Sequence, residues 1–324
     1  MFHGRLLRGA AGVCVATFLL SAPAAAQEIE SIHFLIPGGA GGGWDGTARG
    51  TGEALTKAGL IGNASFENMS GGGGGKALSH FIETAEKQQG TLMVQSTPIV
   101  MRSLQKSYAY TYEDVTPVAG LIGDYGAFFV KADSPIESFG QLIAALEKDP
   151  AGLAIGGGSL VGGMDHIVAA MVLKAAGTDA GKFRYVPYDA GGKAMAGLLS
   201  GEIDALSEQV STAGDLDRQG QVRILCITSE ERLADKPEVP TCREEGADAT
   251  FVNWRGFFGP PGMSDAERDT YVALFEQMYE TAEWEEVRAR NSWVNIFNPG
   301  DEFRSFMNEQ AESLGEVMRE LGFL

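Results

Sequence analysis

The sequence predicts an α/β protein of two lobes, each built on mixed, mainly parallel strands flanked by helices, with two strands crossing between them. Three observations predict it. Short β-rich runs alternate with helical periods along most of the chain. The alternation pauses and restarts once, giving two similar units. A late segment then returns to the first unit and makes it discontinuous. Length agrees: about 300 residues exceed the comfortable size of a single core.

The opening residues read as a secretory signal peptide, residues 1–26, rather than as part of the fold. Arg5 and Arg8 form a basic start, AAGVCVATFLL is a short apolar run, and SAPAAAQ offers an A-x-A cleavage site ending at Ala26. Cys14 lacks the flanking residues of a lipoprotein signal, so the expectation is a mature chain from Gln27, secreted into the periplasm. No later run approaches the roughly twenty apolar residues that span a membrane.

The first unit opens with the strand IHFLI, then a glycine loop, PGGAGGG, and a helix with apolar positions Trp44, Ala48, Leu55 and Ala58. ASFEN is the next strand, followed by a second glycine loop and the helix KALSHFIETAEK. TLMVQS is a third strand, leading into TPIVMRSL. After VTPVAGLIGDYGAFFVKADSP the pattern restarts. SFGQLIAALEKDP is a helix stopped by Pro150, GLAIGGG a strand entering a third glycine loop, and GGMDHIVAAMVLKAAG a helix. FRYVPY, AGGKAMAGLLSG, IDALSEQ and VRILCITSE continue the alternation. NWRGFFGPP leads to a helix with a capping box at Ser264 and Glu267. The final amphipathic helix buries Phe303, Phe306, Met307, Leu314, Val317, Met318 and Leu321. The crossings fall near Gly120–Tyr125 and Ala249–Trp254. Domain 1 is therefore 27–121 with 252–324, and domain 2 is 122–251.

Net charge is −18 over the full chain, and −20 without Arg5 and Arg8. So acidic a surface disfavours nucleic acid and anionic membranes. Cys226 and Cys242 are the cysteines left after the signal. An oxidising compartment allows them to pair, and two separate buried thiols are equally compatible with the sequence.

Glycine loops at strand-to-helix junctions first suggest phosphate binding. SGGGGGKA has Ser70 and Ala77 where a Walker A loop needs glycine and a hydroxyl. GGAGGGWDG does not fit G-x-G-x-x-G, and no acidic residue closes the following strand. Neither a nucleotide nor any other cofactor is expected. His33, His80 and His166 are not spaced as metal ligands. Ser159 and His166 are the one pair that could serve a secreted hydrolase or lyase, but Val161 breaks G-x-S-x-G and no third group is evident. The first unpaired N–H groups of a helix, with the positive end of its dipole, do form an anion site. Three glycine loops at strand ends in two lobes fit that chemistry better than they fit tight connections alone.

IPGGAGGGWDGTAR, FENMSGGGGGKAL, IGGGSLVGGMDHI, YVPYDAGGKAMAGLLSGEIDA and NWRGFFGPPGMSDAE occur in this order. Together they resemble the Bug-type substrate-binding proteins of tripartite tricarboxylate transporters, in their citrate-type branch, over essentially the whole mature chain. The resemblance implies a type II Venus-flytrap fold and a ligand carboxylate held between backbone amides of opposed loops. It also implies delivery to a permease of one large and one small subunit, and no catalysis. Ser70 departs from the proline of many relatives.

By position, the resemblance implies ligand contacts from Gly41, Gly42, Gly43 and Trp44, with the Trp44 ring as a wall. Asp45 stands at the helix start as ligand contact or plain N-cap. Ser96 and Thr97 offer hydroxyls at the same edge. Gly157, Gly158 and Ser159 form the facing loop, with His166 directly after it. Tyr188, Asp189, Ala190 and Gly191 complete the clasp. Glu208 faces the cleft, its alternative being a solvated loop carboxylate, and Arg49 is assigned to a structural ion pair. The expected protein is a monomer whose partners are the carboxylate and the permease, with a sensor kinase as a further candidate.

Overall fold

The structure, a computed structural model, describes Met1, residues 29–214 and residues 216–324. The signal-peptide reading, with Arg5, Arg8, Cys14, Ala26 and the start at Gln27, lies outside the described residues.

The first unit is β1 (Ser31–Ile36), α1 (Gly43–Lys57), β2 (Asn63–Asn68), α2 (Gly75–Glu83), β3 (Thr91–Ser96) and α3 (Pro98–Leu104). β1 pairs in parallel with β2 and β3, as β-loop-α connections require. α2 is shorter than its sequence period. Thr84 leaves helical dihedrals while its hydroxyl bonds the His80 carbonyl, and a 3₁₀ turn, Ala85–Lys87, finishes the run.

β4 (Thr116–Lys131) is the strand that joins the units. It pairs antiparallel with β9 (Val252–Gly259) through Tyr125, and from Gly126 onward with β7 (Ala205–Gln209) and β8 (Val222–Ile227). Between them lie α4 (Phe139–Lys148), β5 (Ala154–Gly157), α5 (Met164–Ala175), β6 (Arg184–Pro187) and α6 (Gly191–Ser200). β5 runs parallel to both β6 and β7. Every antiparallel pairing among the described residues involves β4 or β9, the crossing strands.

After β9 come α7 (Asp265–Tyr279), α8 (Ala282–Arg290), β10 (Val294–Pro299) and α9 (Gly300–Glu320). The Ser264 hydroxyl accepts the Glu267 amide, so Ser264 is the N-cap of α7, although no return bond from the Glu267 side chain forms among the described residues. α8 and β10 are absent from the sequence reading. Only Trp284 and Val287 of α8 are buried, and no residue of β10 is, so neither shows a clear period. Phe303, Met307, Leu314 and Met318 of α9 are buried, while Phe306, Val317 and Leu321 are half-buried at the margin of that face.

Three apolar clusters hold the layers. Phe34, Leu55, Phe257, Phe275 and Trp284 pack one face of the first unit against α1, α7 and α8. Phe129, Leu198 and Ile224 pack α6 onto the second. The third is continuous from Phe81 and Ile99 through Trp254 and Phe303 to Phe139 and Val168, so apolar contact crosses between the units. Cys226 and Cys242 form a disulfide, Cα to Cα 4.9 Å, tying β8 to the segment that follows it.

Candidate functional site

β1 ends in the first glycine loop, and the crossing strands bring a second set of groups against it. Between them lies a cleft of about 160 Å³. Gly41, Gly42, Gly43 and Gly46 form one side, and Gly191, Gly192, Glu208, Ser211 and Thr212 the other. Arg255, Asn291 and Trp293 complete the lining. A larger depression of about 220 Å³, between the C-terminal ends of α4 and α5, takes no residue from the first unit. Of the two, the smaller cleft joins helix N-termini from both units.

The local sequence explains why the loop comes so close. A Cβ at Gly43 would sit 2.5 Å from an Arg255 guanidinium nitrogen, so the bare backbone is what lets Arg255 approach. Gly41 has φ of +77°, a left-handed turn into α1. Its N–H donates to Asp45 Oδ2 at 2.9 Å, and the Gly42 N–H turns back to the Gly39 carbonyl at 3.3 Å. The amides left for a ligand are therefore those of the first turn, beginning at Gly43. Gly191 and Gly192 open α6 on the opposite side in the same way.

Asp45 is not the N-cap of α1; Gly42 is. The Asp45 carboxylate is buried and takes hydrogen bonds from Gly41, Arg49 (2.8 Å) and Asn68 (2.9 Å). Burial alone would raise its pKa, but these three donors together hold it below the usual carboxylate range. Arg49 also reaches Asn68 and lies over the Phe66 ring, a structural role.

Several expected residues sit elsewhere. The Trp44 indole donates to Ser96 Oγ at 2.8 Å, and its ring lies against Gly38 and Gly74, so it braces the two glycine loops. Thr97 is fully buried with an unpaired hydroxyl. The Tyr188 ring packs behind α6, against Gly197 and Gly156, because its amide is tied to the Gly157 carbonyl. Asp189 is exposed and paired with Lys193 at 2.7 Å. Ala190, in extended backbone, is the N-cap of α6.

The third loop lies behind the cleft lining. The Gly158 N–H is bound to Glu208 at 3.0 Å, and the Ser159 hydroxyl accepts the Asp165 amide at 3.0 Å. His166 Nδ1 accepts the Gly162 N–H, and its ring stacks on Tyr185 with centroids 4.3 Å apart. Burial pushes its pKa down to about 4, keeping it neutral at neutral pH. No hydrogen bond joins Ser159 to His166, so the nucleophile–base pair of the enzyme reading does not assemble.

Glu208 is not a solvated loop carboxylate. It is 4 % exposed, it borders the cleft, and burial together with the neighbouring Asp165 raises its pKa well above the usual range. Asp165, also buried, is pushed up to about 6. Sequence reasoning missed Gly192, Ser211, Thr212, Asn291 and Trp293 of the lining, and the charged pair beneath them. Arg255 Nη1 lies 2.8 Å from Asp124 Oδ2, with both side chains buried, and the Ser211 hydroxyl and amide also bind Asp124. Burial raises the Asp124 pKa, against the pull of Arg255. Asn291 and Trp293 come from the turn between α8 and β10; the Trp293 indole N–H is unpartnered. Among the described residues no group of three or more His, Cys, Asp or Glu could hold a metal ion, and no helix is long and apolar enough to cross a membrane.

Two α/β units joined by crossing strands, with helix N-termini facing across a polar cleft, define the class of two-lobed solute-binding proteins. The chain belongs to the tripartite tricarboxylate transporter receptor family (TctC), whose family model matches residues 48–323. Members of that family are binding receptors, not enzymes. Protein BugT of Bordetella pertussis is 26 % identical over 323 residues, covering 96 % of each chain. The periplasmic binding protein BugD shares the fold with a TM-score of 0.80 at 18 % identity, covering 90 % of this chain and 98 % of that one. MatC of Rhodopseudomonas palustris, solved with bound malate, gives 0.77 at 20 % identity, covering 89 % and 98 %.

Proposed function

We propose that this protein is a periplasmic receptor that captures a small di- or tricarboxylate, malate- or citrate-like, and delivers it to a membrane permease of one large and one small subunit. The lobes are 27–121 with 252–324, and 122–251; residues 1–26 are the export signal. The observation that carries the reading is the cleft itself, where the first turns of α1 and α6 open onto one space of about 160 Å³. Paired helix N-termini suit a carboxylate without a dedicated cation. That MatC was solved with malate supports the ligand class. The proposed ligand-binding residues are Gly43, Gly191, Gly192, Glu208, Ser211, Thr212, Arg255, Asn291 and Trp293.

Thermal-shift screening against malate, succinate, citrate, tricarballylate and glutamate tests the reading. A true ligand at about 100 times its Kd stabilises by about 2.7 kcal/mol, and the melting temperature rises accordingly. No shift with any of these carboxylates overturns the assignment.

A further inference from the structure

The charge around the cleft does not match an anionic ligand as long as every group is ionised. Glu208 Oε2 receives the Gly158 amide, while among the described residues Oε1 has only the long contacts from the Gln209 amide at 3.4 Å and the Thr212 hydroxyl at 3.5 Å. From α5, Asp165 presents a second buried carboxyl, and from β4, Asp124 a third. Among the described residues β9 supplies the buried cation facing them, Arg255, which is already paired with Asp124. Tyr185 of β6 faces the group as a neutral phenol. α6 presents the Gly191 backbone to Glu208, while its Lys193 is turned to Asp189. A ligand carboxylate added to three ionised carboxylates and one guanidinium would be like charge in a desolvated space.

We propose that Glu208 binds the ligand as a neutral acid: one proton from solvent is taken up onto Glu208 Oε1 as the carboxylate enters, and that O–H donates to the ligand. The inference rests on reading the cleft as the ligand site. Burial and the Asp165 charge raise its pKa in the empty cleft, and the charge of an entering carboxylate raises it further, which is what draws the proton in. Gly158 holds the other oxygen, which leaves Oε1 as the atom with capacity for a proton.

Calorimetry with malate as probe, in two buffers of different ionisation enthalpy, at about pH 6 and about pH 8, tests it; ordinary carboxyls are ionised throughout that range. The wild-type protein is expected to take up more proton per malate at about pH 8, approaching one, than at about pH 6, where the empty cleft already holds part of it, and its affinity to fall by up to about tenfold per pH unit as pH rises. Glu208→Gln, whose amide can donate at any pH, is expected to bind without proton uptake and to lose that fall. Malate bound by the wild type at about pH 8 with no proton uptake overturns the proposal while leaving the functional reading standing. So does an unaltered pH slope in the variant, or loss of its binding with its melting transition intact. If the variant does not fold, the wild-type buffer comparison decides alone. No malate binding by the wild type at either pH removes malate as ligand and this proposal with it.

Discussion

Asp165 shows how little of the buried electrostatics can be read from a string of residues. Its neighbours in sequence are a histidine and a glycine loop, which drew attention to the wrong side chain. His166 stacks on aromatics, while Asp165 turns inward, 3 % exposed, to accept Gln209 Nε2 at 3.0 Å. Arg255 and Asp124 were missed for the same reason. They are 131 positions apart, and only the antiparallel register of β4 and β9 makes them partners. Glycines were easier, because their purpose is local. At Gly158 the contact is nonetheless long-range: a Cβ would lie 2.3 Å from the Gly191 amide nitrogen, so a larger residue there would damage the packing as well as the site. An acid whose folded pKa lies above its unfolded value keeps its proton longer when folded. Its contribution to stability is present at low pH and is lost as pH rises through the folded value. For Asp165, pushed from 3.8 to about 6, that window is about pH 4 to 6. Asp165→Asn should therefore stabilise the protein by roughly 3 kcal/mol at pH 8, and by little near pH 4. Urea denaturation at the two pH values measures it; an equal effect at both would refute the assignment.

At the scale of elements, strands and helices with a strong period were legible. TLMVQS is wholly buried, as a central strand is, and in IHFLI every residue but His33 is buried too. α8 and β10 escaped because their burial is supplied by tertiary neighbours: Trp284 stacks on Tyr279, and β10 leans on β4. The part of the lining that comes from Asn291 and Trp293 was invisible with them. The disulfide is another element-level feature the sequence left open. It closes a loop over a separation of 16 residues, which in the chain-entropy model contributes about 3 kcal/mol by restricting the unfolded chain. Cys226 and Cys242 are both fully buried, so the bond is shielded in the folded state. Replacing both by alanine should lower the unfolding free energy measured in urea by an amount of that order, and adding reductant to the variant should change nothing further. A variant as stable as the oxidised protein would show that the loop is already ordered without the bond.

For the whole molecule, the question is what holds the two lobes against each other around the cleft. Besides the crossing strands and the apolar cluster they carry, Ser292 donates to Asp235 across the units, and a polar and aromatic seam joins them at the far end. The Gly162 carbonyl accepts Gln105 Nε2 at 2.9 Å, Phe323 meets the edge of the His166 ring at 4.9 Å, and Lys174 pairs with Glu320. Gly162 belongs to the loop that leaves the C-terminal end of β5, and C-terminal strand ends are the edge where ligands sit in open α/β sheets. Contacts there favour the lobes-together state, and a receptor whose binding-competent state is only partly populated loses affinity by that fraction. An aromatic pair of this kind contributes about 0.5–1.5 kcal/mol beyond its buried area, or roughly a two- to tenfold shift in population. Phe323→Ala lies outside the cleft lining, yet it should weaken malate binding by about that factor. It should also enlarge the ligand-free radius of gyration in small-angle scattering, while saturating malate restores the compact form. If the radius and the affinity both stay at wild-type values, the seam is passive packing, and opening is governed by the crossing strands and the contacts around them.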